Sequence, residues 1–230
     1  MWDVQDPTRP RRLGPSLAAH TGSVYTAAFA PDGHTLATAG EDKTVILWDV
    51  RDPGRPRPLG SALTGHADPV TSVVFAPDGA TLATASDDVS VILWDVRDPD
   101  RPLQLGSPLT SSAGRVHVVV FAPDGRMMAA GNDDGSVTLW DVRDATRAER
   151  LGSSLVGHTD SVYSMAFTPN GGVLASGGRD RTVIFWDLSD LIFLRDHAAQ
   201  VACTLTDGGL TLDEWRRIAG DLPYQETCRP

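Results

Sequence analysis

An all-β fold of four repeating units, each 46 residues long, is predicted by three features of the 230-residue sequence. First, a Trp-Asp pair recurs at Trp2-Asp3, Trp48-Asp49, Trp94-Asp95, Trp140-Asp141 and Trp186-Asp187, always 46 residues apart. A fixed period in this range signals a repeat architecture, in which each unit buries its apolar face against its neighbours. Second, a turn tetrapeptide returns in phase: Ala30-Pro-Asp-Gly33, Ala76-Pro-Asp-Gly79, Ala122-Pro-Asp-Gly125 and Thr168-Pro-Asn-Gly171. Proline presets φ at the first corner and glycine accepts a positive φ at the last. Third, the apolar runs between these marks are strand-sized.

The elements follow in order within each unit. A first strand near 24–30 carries Val24, Ala27 and Phe29, repeated as Val70, Val73, Phe75, then Val116, Val119, Phe121, then Val162, Met165, Phe167. The steps are three and then two, where a regular strand gives twos. The extra residue predicts a β-bulge at the start of the strand. After the turn come a second strand near 35–39, a tight turn around Asp42, and a third strand near 44–48 ending on the Trp. A Pro/Arg-rich connector then leads to a fourth strand near 58–63. The connectors at 51–57 and 97–102 read as solvated loops stiffened by proline. Every expected position repeats at steps of 46.

Together with Gly-His-like pairs upstream of each Trp (Ala19-His20, Gly65-His66, Ser111-Ser112, Gly157-His158), this pattern resembles the WD-repeat β-propeller blade across residues 1–190. The resemblance implies structural hydrogen-bond tetrads at His20, Thr38, Asp42 and Trp48, at His66, Thr84, Asp88 and Trp94, and at His158, Ser176, Asp180 and Trp186. The physical need is plain: a buried indole N–H must find an acceptor, and a hydroxyl can relay to an imidazole that a buried carboxylate orients. In the third unit Asp134 and Trp140 remain, but Ser112 and Ala130 stand where the His and hydroxyl are expected. Linked loss of two network members and independent drift at two positions both account for this.

The resemblance also implies a partner-binding rim at the top of the ring. It maps to Ser23, Tyr25 and Glu41, to Pro69, Thr71 and Asp87, to Arg115, His117 and Asp133, and to Ser161, Tyr163 and Arg179. Tyr, Arg and His suit interface anchors. Units one and two supply acidic groups and units three and four basic ones, which suits a peptide of mixed charge. The expected function is a non-catalytic protein–protein interaction scaffold or sensor module. A propeller-type hydrolase and a fragment without independent function are the alternatives. His and Asp recur with a hydroxyl and a Trp attached, whereas a catalytic constellation occurs once. No nucleophile elbow or phosphate-cradling glycine loop appears, and neither metal nor cofactor is expected.

Hydrophobic residues make up 41%, sufficient for a core at this length. The net charge of −10 argues against a sequence-independent grip on nucleic acid. No apolar run is long enough to span a bilayer, and the first residues lack a secretory pattern, so a cytoplasmic location is expected. The two cysteines, Cys203 and Cys228, qualify this. A bridge between them points to an oxidising compartment, and a reduced buried pair to the cytosol.

Both ends are unusual. Met1 takes the position held by Leu47, Leu93, Leu139 and Phe185, so the chain starts inside a third strand. This reads as the end of a longer array, or else as a short chain completed by self-association. Four units predict an open arc, or a homodimer closing eight blades. An open arc leaves the first unit's apolar face uncovered. The fourth is expected to be capped by a helical tail, 191–230, with Ile192–Arg195 and Leu13–Leu17 competing for the edge of its third strand. Leu191, Leu194, Ala198, Val201 and Ala202 have helical spacing. Thr211 and Glu214 form a capping box with Leu210 and Trp215 as its staple, and Gly220 ends a helix over 212–219. This ending resembles that of actinobacterial WD-repeat proteins, in which the propeller follows a signalling NTPase or a protein kinase.

Overall fold

The structure, a computed structural model, describes residues 2–110 and 114–193. The chain divides into a unit Met1–Trp186 and a second unit Asp187–Pro230. Ser112, Cys203, Cys228 and the helix expected over 212–219 lie outside the described residues.

Strands form where the repeat predicts them. The chain opens with a two-residue pair, β1 (Trp2–Asp3) and β2 (Arg11–Arg12). Blade 1 follows as an antiparallel sheet of β3 (Val24–Phe29), β4 (Thr35–Gly40), β5 (Val45–Asp49) and β6 (Arg57–Leu63). Blade 2 repeats it with β7 (Val70–Phe75), β8 (Thr81–Ser86), β9 (Ser90–Asp95) and β10 (Leu103–Thr110). Blade 3 has β11 (Val116–Phe121), β12 (Met127–Asn132) and β13 (Ser136–Asp141), its outer strand split into β14 (Glu149–Arg150) and β15 (Leu155–Val156). Blade 4 shows β16 (Val162–Phe167), β17 (Val173–Gly178) and β18 (Val183–Asp187).

The predicted bulge is present in every blade. Val24 pairs with Gly40 and Thr26 with Ala39, which leaves Tyr25 unopposed. The same register shift falls at Thr71, His117 and Tyr163. The turn from second to third strand demands a left-handed residue, at Lys43, Val89, Gly135 and Arg181. Val89, with φ 72°, is β-branched and stores strain of about 1–2 kcal/mol there.

The core lies between blades rather than within them. Ala37, Ala39, Val45 and Leu47 of blade 1 pack against Val70, Val73, Phe75 and Trp94 of blade 2. Ala83, Ala85, Val91 and Leu93 of blade 2 meet Val116, Val119, Met128 and Trp140 of blade 3 in the same way. Between blades 3 and 4 the small position is Gly131, where a Cβ would stand 2.7 Å from Val162 Cγ1. The first strands β3, β7, β11 and β16 therefore lie side by side.

The arc does not close into a ring. Leu13–Leu17 does not pair with β18: β2 pairs with β1, and Leu17 packs on Leu36, Ile46, Trp48 and Val50 of blade 1. Leu63, one repeat along, takes the equivalent seat on Leu82, Ile92, Trp94 and Val96 while pairing with β5, so this packing is that of an outer strand of the preceding sheet. Ile192 is not in a strand either, since residues 189–193 are helical. The outward face of blade 1 is open at its inner end, with Val24 51% and Phe29 55% exposed. On blade 4, Val183 is 64% and Phe185 72% exposed, and no further strand packs on β18 among the described residues; residues 194–230 of the capping tail expected there lie outside them.

Candidate functional site

Two sets of recurring side chains have geometry that can be read directly: a buried network inside the blades and a row along their upper edge. The network is complete in three blades. In blade 2, Trp94 Nε1 donates to Thr84 Oγ1 at 3.0 Å, Thr84 Oγ1 stands 2.8 Å from His66 Nε2, and His66 Nδ1 stands 2.9 Å from Asp88 Oδ2. Blade 1 has the same chain through Trp48, Thr38, His20 and Asp42 at 2.8, 2.8 and 2.9 Å. Blade 4 has it through Trp186, Ser176, His158 and Asp180 at 2.9, 2.8 and 3.0 Å. The geometry fits one polarity: indole to hydroxyl, hydroxyl to imidazole, imidazole Nδ1–H to carboxylate.

A fifth member was missed by the sequence reading. Thr44, Ser90 and Thr182 each donate a hydroxyl proton to the Asp two residues earlier, at 2.9, 2.6 and 2.8 Å. The signal was available, because a hydroxyl recurs at every step: Thr44, Ser90, Ser136, Thr182. Burial pushes the Asp42, Asp88 and Asp180 carboxyls up, but the backbone and hydroxyl hydrogen bonds they accept outweigh it and hold all three below the ordinary value of 3.8. A depressed folded pKa gives stability that is present above the unfolded value and lost as pH falls through the folded one. Melting temperature is therefore expected to hold from neutral pH to about 4 and to drop below it. A scan at pH 7, 5 and 3 with no loss at pH 3 would count against this network as a stabilising unit.

Blade 3 departs from the pattern. Trp140 is 3% exposed, yet among the described residues its Nε1 has no hydrogen-bond partner, since Ala130 replaces the hydroxyl. A different network occupies the blade. Asn132 Nδ2 donates to Ser136 O at 3.1 Å and to Thr138 Oγ1 at 3.0 Å, and Thr138 Oγ1 lies 3.1 Å from Ser154 Oγ. Thr138 stands where the other blades have Ile46, Ile92 and Ile184. A polar residue at an apolar register position was the signal that could have revealed it.

The row along the upper edge comes from the bulges. Each bulge residue stands beside a backbone bridge joining the residue two before it to the one before the tetrad Asp. Glu41 N donates to Ser23 O at 2.8 Å, Asp87 N to Pro69 O at 3.1 Å, Asp133 N to Arg115 O at 2.9 Å, and Arg179 N to Ser161 O at 2.8 Å. The twelve rim residues are thus brought together as four triplets. They are not equally free. Tyr25, Tyr163, Glu41, Arg115 and Arg179 are exposed. Thr71 Oγ1 instead donates to Val116 O of the next blade at 2.6 Å. Ser161 is 3% exposed and its hydroxyl donates to Asp133 Oδ1 at 3.0 Å. Thr71 and Ser161 therefore tie blades together, and the accessible positions are mainly their neighbours.

One cluster on this row occurs once only. His117 Nε2 lies 2.8 Å from Asp133 Oδ1, and the His117 ring meets Tyr163 edge-on at 4.7 Å. The His117 and Ser161 hydrogen bonds hold the Asp133 carboxyl below its usual value. The members are those of a Ser-His-Asp hydrolase, but not the connectivity: His and Ser both bond the same carboxylate oxygen, so the hydroxyl has no base. The cluster fixes a ring pair and a carboxylate at the junction of blades 3 and 4. Among the described residues no group of three His, Cys, Asp or Glu is placed to hold a metal ion.

The Asp of each Trp-Asp pair serves the opposite edge. Asp49 accepts from Arg51 and Arg57, both at 2.9 Å, and Arg97 and Arg143 fold back on Asp95 and Asp141 in the same manner. These connectors are thus clamped by a repeated ion pair. Arg51 stays 63% exposed, so the pair orders the loop more than it stabilises the fold.

Successive antiparallel sheets packed face to face, each with a Trp-hydroxyl-His-Asp relay or its remnant, define propeller blades presenting a side-chain row on one edge. The WD domain, G-beta repeat family matches residues 12–49, 57–95, 105–141 and 149–187, together more than half of the chain. The chain belongs to this family, whose domains are in general protein-interaction scaffolds rather than catalysts. A comparison with curated proteins found no match. No helix among the described residues is long and apolar enough to cross a membrane.

Proposed function

We propose that the chain is a non-catalytic platform that binds an extended peptide segment of a partner protein along its bulge row, as part of a cytoplasmic signalling protein. The observation that supports this most is the placement of Tyr25, His117 and Tyr163 at the bulges of β3, β11 and β16, in one row that Thr71 of β7 interrupts between the first two, each flanked by exposed charges. Bulges re-aim these side chains outward while the strands behind them stay in register. Tyr and Arg offer large contact area at low entropic cost, which suits anchors. The row is acidic at Glu41, Asp87 and Asp133, and its cations, Arg115 and Arg179, are confined to blades 3 and 4. A ligand with a basic end over blades 1 and 2 and an acidic end over blades 3 and 4 complements it. The net charge of −10 disfavours nucleic acid as the ligand.

The test is a selection of displayed peptides on the immobilised chain, followed by titration of the winners. Tyr163→Ala combined with Arg179→Glu is expected to weaken them at least tenfold, about 1.4 kcal/mol, without moving the melting temperature. Peptides that bind the double variant as tightly as the parent would show that the row is not the binding surface.

A further inference from the structure

The two uncovered ends of the arc are complementary to each other, and we infer that in solution the 230-residue chain pairs with a second copy, each copy's β2 segment completing blade 4 of the other. This inference does not depend on the bulge-row reading.

The internal junctions supply the template. Where two blades meet, the third-strand pair Val45 and Leu47 of one packs on Val70, Val73 and Phe75 of the next, and the positions one repeat along do so again. At the ends the same positions have no partner among the described residues. Val183 and Phe185 are the counterparts of Val45 and Leu47, yet they are 64% and 72% exposed, while Val45 and Leu47 are fully buried. Val24, Ala27 and Phe29 are the counterparts of Val70, Val73 and Phe75, and they too are exposed. One copy's blade 4 therefore offers the surface that the other's blade 1 is shaped to meet. Two such contacts related by a two-fold axis close eight blades, the upper end of the usual range.

The strand pairing agrees. No strand among the described residues pairs with the outer edge of β18. In blade 1 the corresponding edge of β5 is taken by Leu59 and Leu63, whose counterparts one repeat earlier are Leu13 and Leu17. Leu13–Leu17 has no strand partner of its own: Leu17 packs on blade 1 as Leu63 packs on blade 2, and only Arg11–Arg12 beside it pair, with a Trp2 that is 61% exposed where Trp48 and Trp94 are buried. The edge of β18 thus offers Leu13 and Leu17 the pairing that β5 offers Leu59 and Leu63. Charge follows the exchange. Arg11 now binds Asp3 at 3.0 Å, as Arg57 binds Asp49. After exchange Arg11 faces Asp187, which among the described residues accepts hydrogen bonds from Ser189 and from no cation. An open edge beside exposed apolar groups is an association surface.

Light scattering after size exclusion tests this on the full chain. The expected mass is twice 24.5 kDa. Phe185→Asp and Val24→Asp each place a charge in both copies of the junction, and each is expected to elute as a folded monomer by circular dichroism, since both sites are exposed within one chain. Mixing the two variants leaves one junction intact, Phe185 of one chain against Val24 of the other, and is expected to restore a dimer. A monomeric parent, a dimer that survives both substitutions, a mixture that stays monomeric, or species larger than a dimer would overturn the inference. Should Phe185→Asp lose its β-sheet spectrum, Val183→Lys on the same face serves in its place, and Phe29→Lys does so for Val24→Asp.

Discussion

Trp94→Phe is expected to lower the unfolding free energy by about 1–3 kcal/mol more than Trp140→Phe does, although the two residues hold the same repeat position. Both indoles are buried to the same degree, so the area lost is alike. The difference lies in what each leaves behind. Removing the Trp94 N–H deprives Thr84 Oγ1 of its donor in a network that also holds His66 and Asp88. Removing the Trp140 N–H takes away a group with no hydrogen-bond partner among the described residues. His66→Ala goes further, because it strands a hydroxyl and a carboxylate together, and is expected to cost about 3 kcal/mol. Urea titrations of the three variants decide the matter, and equal losses at Trp94 and Trp140 would remove the network from the account of stability.

Leu93→Ala is expected to cost about 2–5 kcal/mol, the range for deleting a large side chain from a packed interior. Leu93 lies in the junction between blades 2 and 3, and its neighbours Met128 and Val119 stand on a separate sheet. Two stiff sheets cannot collapse into the void as a loop would, which favours the upper part of that range. Phe185 has the same repeat position, but Phe185→Ala is expected to leave the melting of an isolated chain nearly unchanged, since its side chain faces solvent. Chemical denaturation below the concentration of association separates the two. A loss under 1 kcal/mol at Leu93 would show that the blades pack loosely.

Much of the fold was legible because the repeat supplies four readings of each position. The bulge followed from Val24, Ala27 and Phe29 stepping by three and then two, and the register shift falls there. The relay followed from pairing an indole with the hydroxyl ten residues before it. What stayed hidden depends on neighbours rather than on period. Ser161 looks like a rim residue in sequence, but the adjacent blade's Asp133 draws its hydroxyl inward. Leu17 has the pattern of an outer strand and takes the same seat on blade 1 that Leu63 takes on blade 2, but the period does not say which strand it pairs with. The blade 3 network arises from Asn132, Thr138 and Ser154, three positions that no single spacing connects.

Each sheet borrows its last strand from the repeat that follows. β6 closes blade 1, yet it is joined by a short link to His66 and β7 of blade 2. The unit of inheritance and the unit of folding are thus out of phase by one strand. A repeat gained or lost by recombination leaves no sheet with a ragged edge inside the array, because every cut point is refilled by its new neighbour. Thermal fraying obeys the same rule in reverse. When one repeat opens, it strips the margin of the sheet before it, so damage spreads toward the N-terminus more readily than away from it. Hydrogen exchange along the array should therefore be directional, a property that a stack of self-contained sheets does not have.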